Sequence, residues 1–290
     1  MARTDARRVL RRARRGYTVP FPWLRVPIVD SLRVARHKPF MRALTEVDVT
    51  LARHALEAHE ARSGERLSFT AYIITCVARA VADHPLVQAR RLTRGPLLLF
   101  DDVDVCAQIE HRTSGGGRQA TPYVIRAANR KPLRAIHAEI RAAQAASVDT
   151  PWAIRGRRLY PFIPSPLRRL FWWSLERFPR LRRRVAGTVM VSAVGMFGAG
   201  AGWGVTSGSG YSLEILLGGI VDRPAIVNGL LTARQRLCMT TSCDHNVIDG
   251  APFTRFIQRM NELIASGYGL AEAGVRLDEP QPVEAQPAER

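Results

Sequence analysis

Cysteine is scarce, and the four present (Cys76, Cys106, Cys238 and Cys243) share no CxxC spacing and each sit in an apolar stretch. That pattern spells neither a disulfide framework nor a cysteine metal site; it reads as buried free thiols in a reducing compartment, the cytoplasm. Lysine is almost missing: of 43 basic residues only Lys38 and Lys131 are lysine, a skew that codon bias from a GC-rich genome explains better than selection for phosphate contacts. The one long stretch without charge, residues 185–213, holds eight glycines and the polar Ser192, Thr206, Ser207 and Ser209. A membrane span needs about 20 predominantly apolar residues of good helix propensity, so this stretch reads as strand, glycine loop and strand. The start, MARTDARRVLRRARRG, has arginines but no apolar core behind them before Pro20 and Pro22, so no secretory leader is expected.

Common chemical signatures are missing as well. No GxGxxG follows a strand, no GxxxxGK[ST] or GxSxG occurs, and no two histidines have HExxH spacing. Nucleotide-loop, serine-hydrolase and zinc-protease readings fall with them, and no metal is expected. His54 and His59, on the polar side of a helix, read as solvated.

What is present is a chain of 290 residues with 46% hydrophobic and 23% charged residues, enough to bury a core without staples. The net charge of +18 is local: residues 1–16 carry +6, residues 151–185 carry +9, and the rest is nearly neutral. A basic arm over 1–20, a main domain over 21–270 with an arginine and aromatic insertion at 151–185, and a Pro, Glu and Ala-rich disordered tail over 271–290 are the expected organisation. Within the domain, a strand end runs into a helix near Thr50, which is expected to cap it. Phe69, Tyr72, Ile73, Cys76, Val77, Ala80 and Val81 then recur at helical spacing behind Ser68, marking a buried helix. Leu97–Ile109 reads as a strand hairpin, 113–117 as a turn, 122–127 as a strand and 133–146 as a helix. Strands at 187–193, 211–221 and 236–243 and a closing helix at 251–266 follow. Strands and helices alternate without a βαβ rhythm, so a mixed sheet covered by helices is expected.

One constellation carries chemistry: Asp244-His245-Asn246-Val247-Ile248-Asp249-Gly250. A strand ends at the histidine and a glycine turn leads to an apolar helix. Imidazole there can take and return a proton near neutrality, Asp249 can hold the loop, and Gly250 permits a tight turn. A histidine in a turn is also an ordinary structural residue, and HxxxDG alone does not separate the two readings.

The wider sequence resembles a family. TTSCDHNVIDGAPFTRFIQRMNEL (residues 240–263) resembles the end of the catalytic domain of 2-oxoacid dehydrogenase acyltransferases, a family that shares HxxxDG and its fold with chloramphenicol acetyltransferase. GTVMVSAVGMFG (187–198), EVDVT (46–50) and the run from Phe69-Thr70-Ala71 to His84-Pro85 resemble further family motifs in the same order. The resemblance implies a chloramphenicol acetyltransferase-like α/β two-layer sandwich with a mixed sheet covered by helices. It implies that His245 is the general base and that Ser192, 53 positions earlier, stabilises the oxyanion. Asp249 then holds the loop through an arginine near the N-terminus, for which Arg25 is the candidate. A homotrimer with active sites at subunit interfaces follows from the same resemblance.

Departures shape the rest of the expectation. About 40 residues precede the match, without room for a lipoyl or subunit-binding domain or a lipoyl lysine. Asn246 stands where the family has arginine, and Cys243 where it has Phe or Tyr. A stand-alone enzyme is therefore expected, with coenzyme A or acyl-CoA as substrate, no covalently bound lipoyl group, and a small-molecule thiol, amine or hydroxyl as acceptor. The alternatives are a core acting in trans with lipoylated proteins of a 2-oxoacid dehydrogenase complex, and a non-catalytic scaffold. For the 151–185 insertion three readings stand in order: packing on the domain, peripheral contact with the inner face of the membrane, and nucleic acid last, because its aromatics are clustered rather than spread along a groove.

Overall fold

A computed structural model of the chain describes residues 18–22, 25–36, 38–92, 95–112, 118–145, 159–193, 200–206, 208–227 and 229–278. The arm over 1–17, the turn at 113–117, residues 151–158 of the insertion and the tail from 279 lie outside the described residues. The strands in chain order are β1 Phe40–Asp48, β2 Arg90–Arg91, β3 Leu97–Leu98, β4 Val105–Arg112, β5 Arg118–Ile125, β6 Val189–Ala193, β7 Leu213–Val227 and β8 Leu230–Asp244. The helices are α1 Val26–Ala35, α2 Thr50–Ser63, α3 Phe69–Asp83, α4 Leu133–Ala145, α5 Ser165–Arg177, α6 Pro179–Ala186 and α7 Gly250–Ala265. Six strands form one mixed sheet in the order β1-β8-β7-β6-β4-β5, with β6 parallel to both β4 and β7. The expected two-layer α/β sandwich is the architecture found.

Helix α3 is the centre of the helical layer. Ser68 caps it by accepting the Ala71 N–H at 3.3 Å, and nearly every side chain from Ala71 to Val81 is buried. Against it lies the apolar stripe of α7, with Phe253, Phe256, Ile257, Met260, Leu263 and Ile264 buried, and the Tyr72 hydroxyl donates to the carbonyl of Ile264. Removing that much apolar surface from water, at roughly 1.5–3 kcal/mol per large side chain, seats both helices on the sheet.

Several local expectations need correction. Thr50 is the first residue of α2 rather than its cap; the Asp48 carboxylate accepts the Thr50 N–H at 3.0 Å and its hydroxyl at 2.7 Å. Leu97–Ile109 is not one hairpin, because β3 pairs with β2 while β4 pairs with β5. His59 is buried and meets Glu65 at 3.2 Å instead of facing solvent. The tail starts later than 271, since Ala273 and Val275 are buried in the core. Strands β7 and β8 are longer than expected and pair out to Val227 and Leu230, next to Gly229 at φ +81°. Asn-Gly between apolar runs is a strong hairpin signal.

Glycines explain how the loop before β7 lies on the sheet. The register of β7 on β8 shifts between Leu217 and Ile220, and at Gly218 and Gly219 any Cβ would collide with the carbonyl oxygens of Gly202 and Gly200. Only bare backbone allows that approach, and Trp203 then pins the loop by donating to the carbonyl of Thr45 at 3.0 Å.

The inner face of the 151–185 insertion is held down by charge. Glu176 on α5 meets Lys38 at 2.9 Å, Arg182 at 2.8 Å and Arg90 at 3.5 Å. Burial alone would raise the Glu176 carboxyl, but these cations more than offset it and hold it below the ordinary value. Arg168 meets Asp30 of α1 at 3.3 Å, and Trp172 donates to the Tyr160 hydroxyl, which donates to Asp30 at 3.0 Å. On α6, Arg183 reaches Asp102 and Asp104 at 2.9 and 2.8 Å.

Candidate active site

Strand β8 delivers the histidine. At its end the Asp244 N–H donates to Ser212 O at 2.9 Å and the His245 N–H to Pro39 O at 2.8 Å, so the residue is tied to the chain leading into β1 and into β7 at once. The turn that follows closes on Asp244: its carboxylate accepts the Asn246 backbone N–H and side-chain amide, both at 3.0 Å, and its carbonyl accepts the Val247 N–H. Ile248 is buried and anchors the turn in the core. Asn246, in the place of the family arginine, is thus used up in bracing the turn.

The imidazole has a defined tautomer. His245 Nδ1 lies 3.1 Å from the carbonyl oxygen of Ile248. A carbonyl can only accept, so Nδ1 carries the hydrogen and Nε2 holds the free lone pair. The ring is half exposed, at 48%, so Nε2 is accessible to a reactant. Asp249 Oδ1 stands 3.8 Å from Nδ1, too far for a hydrogen bond.

Other candidates are placed less tightly. Asp249 is 90% exposed and precedes α7 without a side-chain cap bond. Arg25 lies at the start of α1 and is exposed, and no ion pair joins it to Asp249 among the described residues. Gly250 is the first residue of α7 and has open space where a Cβ would stand, so the tight turn there does not require glycine. Cys243, two residues before the histidine, points into the core, its Sγ 3.6 Å from Val87 O. Burial pushes its thiol up to about 12, which leaves it inert near neutrality.

Ser192 lies elsewhere on the sheet. It stands on β6 opposite Leu216 of β7, which in turn faces Thr240 of β8. His245 is five residues beyond Thr240, so within one chain the two are separated by about 16 Å along the strands and about 10 Å across them. Ser192 instead borders a cleft of about 700 Å³ whose walls include Phe69, Gln108, Glu110 and Arg141. Phe69 stood out in the sequence only as part of a buried helix, and Gln108, Glu110 and Arg141 not at all, because they come from β4 and α4 and share no local pattern. Among the described residues no cluster of histidine, cysteine, aspartate and glutamate could hold a metal ion.

The carboxy-terminal part of the sheet, α7 and the histidine turn match the family model of the 2-oxoacid dehydrogenases acyltransferase (catalytic domain), over residues 183–270. The match spans 88 of the 290 residues. Solved structures extend the likeness in fold to most of the chain. A probable dihydrolipoamide acetyltransferase from Listeria monocytogenes has a TM-score of 0.63 at 19% identity, covering 91% of this chain and 99% of that one. The dihydrolipoamide acetyltransferase of Azotobacter vinelandii has 0.61 at 19%, over 87% and 92%. A truncated catalytic core of the 2-oxoacid dehydrogenase multienzyme complex from Thermoplasma acidophilum has 0.60 at 22%, over 87% and 100%. No curated protein sequence matches the chain. The segment that matches the acyltransferase model carries both Ser192 and His245, on a fold similar to that of the acetyltransferase cores.

Proposed function

We propose that the protein transfers an acyl group between a thioester, acyl-CoA, and a thiol, amine or hydroxyl acceptor, with His245 as general base and Ser192 as oxyanion donor. The observation that carries this reading is the Nδ1–H to Ile248 O bond, which presents a free lone pair on Nε2 at the end of a rigid strand. Nε2 takes the proton from the acceptor as its heteroatom attacks the thioester carbonyl carbon. The carbonyl electron pair moves onto oxygen, where the Ser192 hydroxyl donates to it. As the tetrahedral intermediate collapses, the C–S bond breaks and the departing sulfur takes the proton back from the imidazolium. A positioned base contributes about 10²–10⁴-fold, and one oxyanion donor about 3–4 kcal/mol.

The separation of Ser192 from His245 within one chain favours a site shared between copies, in a homotrimer. A closed ring of three lets His245 of one subunit meet Ser192 of the next. The β7–β8 hairpin supports assembly too. Its tip runs past the ends of β1 and β6 and exposes Ile226, Leu230 and Leu231, an apolar ribbon with bare edges that isolated domains avoid. The Azotobacter vinelandii enzyme, in which a serine, a histidine and an asparagine four residues after it have been investigated for their role in catalysis, has the same order as Ser192, His245 and Asp249.

The test is thiol release from acetyl-CoA and longer acyl-CoA thioesters, followed with pools of amines, alcohols and thiols that include dihydrolipoamide. Turnover that depends on His245 supports the reading. Turnover with dihydrolipoamide alone moves the protein to a core acting in trans with lipoylated partners. No turnover with any acceptor by the assembled protein overturns acyl transfer in favour of a scaffold.

A further inference from the structure

We propose that the outward face of α5 and α6 is a docking surface for an anionic lipid bilayer. The inference does not depend on the acyl-transfer reading. It rests on how one segment divides its side chains between two faces. Of the 22 large hydrophobic residues exposed among the described residues, ten fall within 159–185, so exposure is concentrated there rather than scattered as on an ordinary surface. On α5, Leu167, Leu170 and Phe171 share a face by their i, i+3 and i+4 spacing, and on α6 Leu181 and Val185 do the same. Phe162 before α5 is 83% exposed and Trp173 is 54% exposed.

The arginines divide in the same way. Arg168, Arg182 and Arg183 turn inward and pair with Asp30, Glu176, Asp102 and Asp104. Arg169, Arg177, Arg180 and Arg184 are exposed and have no carboxylate partner among the described residues. The inward pairs hold the helices on the domain, so the exposed apolar residues are not a packing face left open by poor anchoring. The segment therefore packs with one face and keeps a second face, apolar and aromatic, bordered by uncompensated positive charge.

Such a face matches one partner chemistry best. Aromatic and aliphatic side chains enter the boundary between headgroups and acyl chains while arginines stay at the phosphates, with the helix lying in the plane of the interface. Docking of a second copy by this face would bring the unpaired arginines of both copies together, and like charges across an interface are repulsive. Nucleic acid would satisfy the arginines but leave the aliphatic residues in water. No helix among the described residues is long and apolar enough to cross a membrane, so the contact is peripheral.

The test is flotation of the full chain with vesicles of phosphatidylcholine alone and of phosphatidylcholine with phosphatidylglycerol, at low and high salt and after nuclease treatment. The expected result is binding to the anionic vesicles that falls with salt. Neutralising Arg177 and Arg180 with Arg177→Gln and Arg180→Gln should weaken partitioning by about fivefold for each arginine. Leu170→Ser with Phe171→Ser should weaken it by about tenfold or more. Both pairs lie on the exposed surface, and unchanged circular dichroism and thermal midpoint identify variants that have kept the fold. The proposal is overturned by absence of flotation at low salt, by flotation that nuclease abolishes, or by equal binding of the folded Leu170→Ser/Phe171→Ser variant. It is also overturned if that variant instead lowers the oligomeric state, which would assign the face to contact between copies.

Discussion

At the scale of single residues, the site turns on which nitrogen of His245 holds the hydrogen. The Ile248 carbonyl answers that without any carboxylate, and Asp249, at 3.8 Å, makes no hydrogen bond to the ring. His245→Ala is expected to lower turnover by at least about 10²-fold with the thermal midpoint unchanged, because the ring is half exposed and fills no part of the core. Ser192→Ala should cost about 10²-fold in kcat with little change in KM, since the oxyanion exists only in the transition state. Steady-state kinetics with acyl-CoA check both. Wild-type rates in the two variants would remove the mechanism.

At the scale of elements, the insertion is locked by a cationic cluster that surrounds one carboxylate. Glu176→Gln strands Lys38, Arg90 and Arg182 in a largely buried place and should cost about 3–5 kcal/mol of unfolding free energy, read by denaturant titration. Lys38 shows the strain of the cluster from the other side. Burial, and then the charge of Arg90, lower its ammonium to about 8 from an ordinary 10.5. Below pH 8 the lysine is charged in both folded and unfolded chains and the full cost of burying it is present. Between about 8 and 10.5 the unfolded chain binds more protons, so this contribution makes stability rise with pH; above 10.5 the cost is gone. Lys38→Met removes the dependence, so the stability gap between the variant and wild type should narrow or change sign across that window, by on the order of 3 kcal/mol. A gap that stays constant from below pH 8 to above 10.5 would show that Lys38 is not buried as a charge.

At the scale of the whole molecule, the proposed catalytic pair is split across the sheet, and the shared-site proposal requires a second copy to close it. This makes a sharp prediction from inactive parts. When His245→Ala and Ser192→Ala chains are unfolded, mixed and refolded together, some interfaces combine an intact Ser192 from one with an intact His245 from the other. Activity should return to a measurable fraction of wild type, well above the sum of the two separate variants. A site closed within a single chain gives no such recovery. The size of the assembly, followed by light scattering, should also fall when Ile226 and Leu231 at the hairpin tip are changed to serine, with activity lost together with the trimer.

The parts of this protein that are legible in the sequence are those whose cause is local. The buried face of α3 is a spacing, its start is one serine, and the end of β8 is a histidine, a turn and an apolar helix, so each can be read within about ten residues. The order of the motifs then made the sandwich expected before any strand was paired. What only the tertiary structure decided are the matters set by neighbours distant in sequence. His59 has the polar pattern of a surface residue but is covered by its surroundings. The glycines at 200 and 202 read as loop and those at 218 and 219 as ordinary strand, yet they form a close backbone crossing. Ser192 and His245, matched as a pair by resemblance, stand on different strands at different levels of the sheet, because register is set by pairing across β6, β7 and β8 and not by separation in the chain. The insertion is the clearest case: its composition is one mixture of arginine and aromatic residues, and the sorting of that mixture into a paired inner face and an unpaired outer face exists only once α1, β2 and the loop before β4 supply the carboxylates and the cation against which it packs.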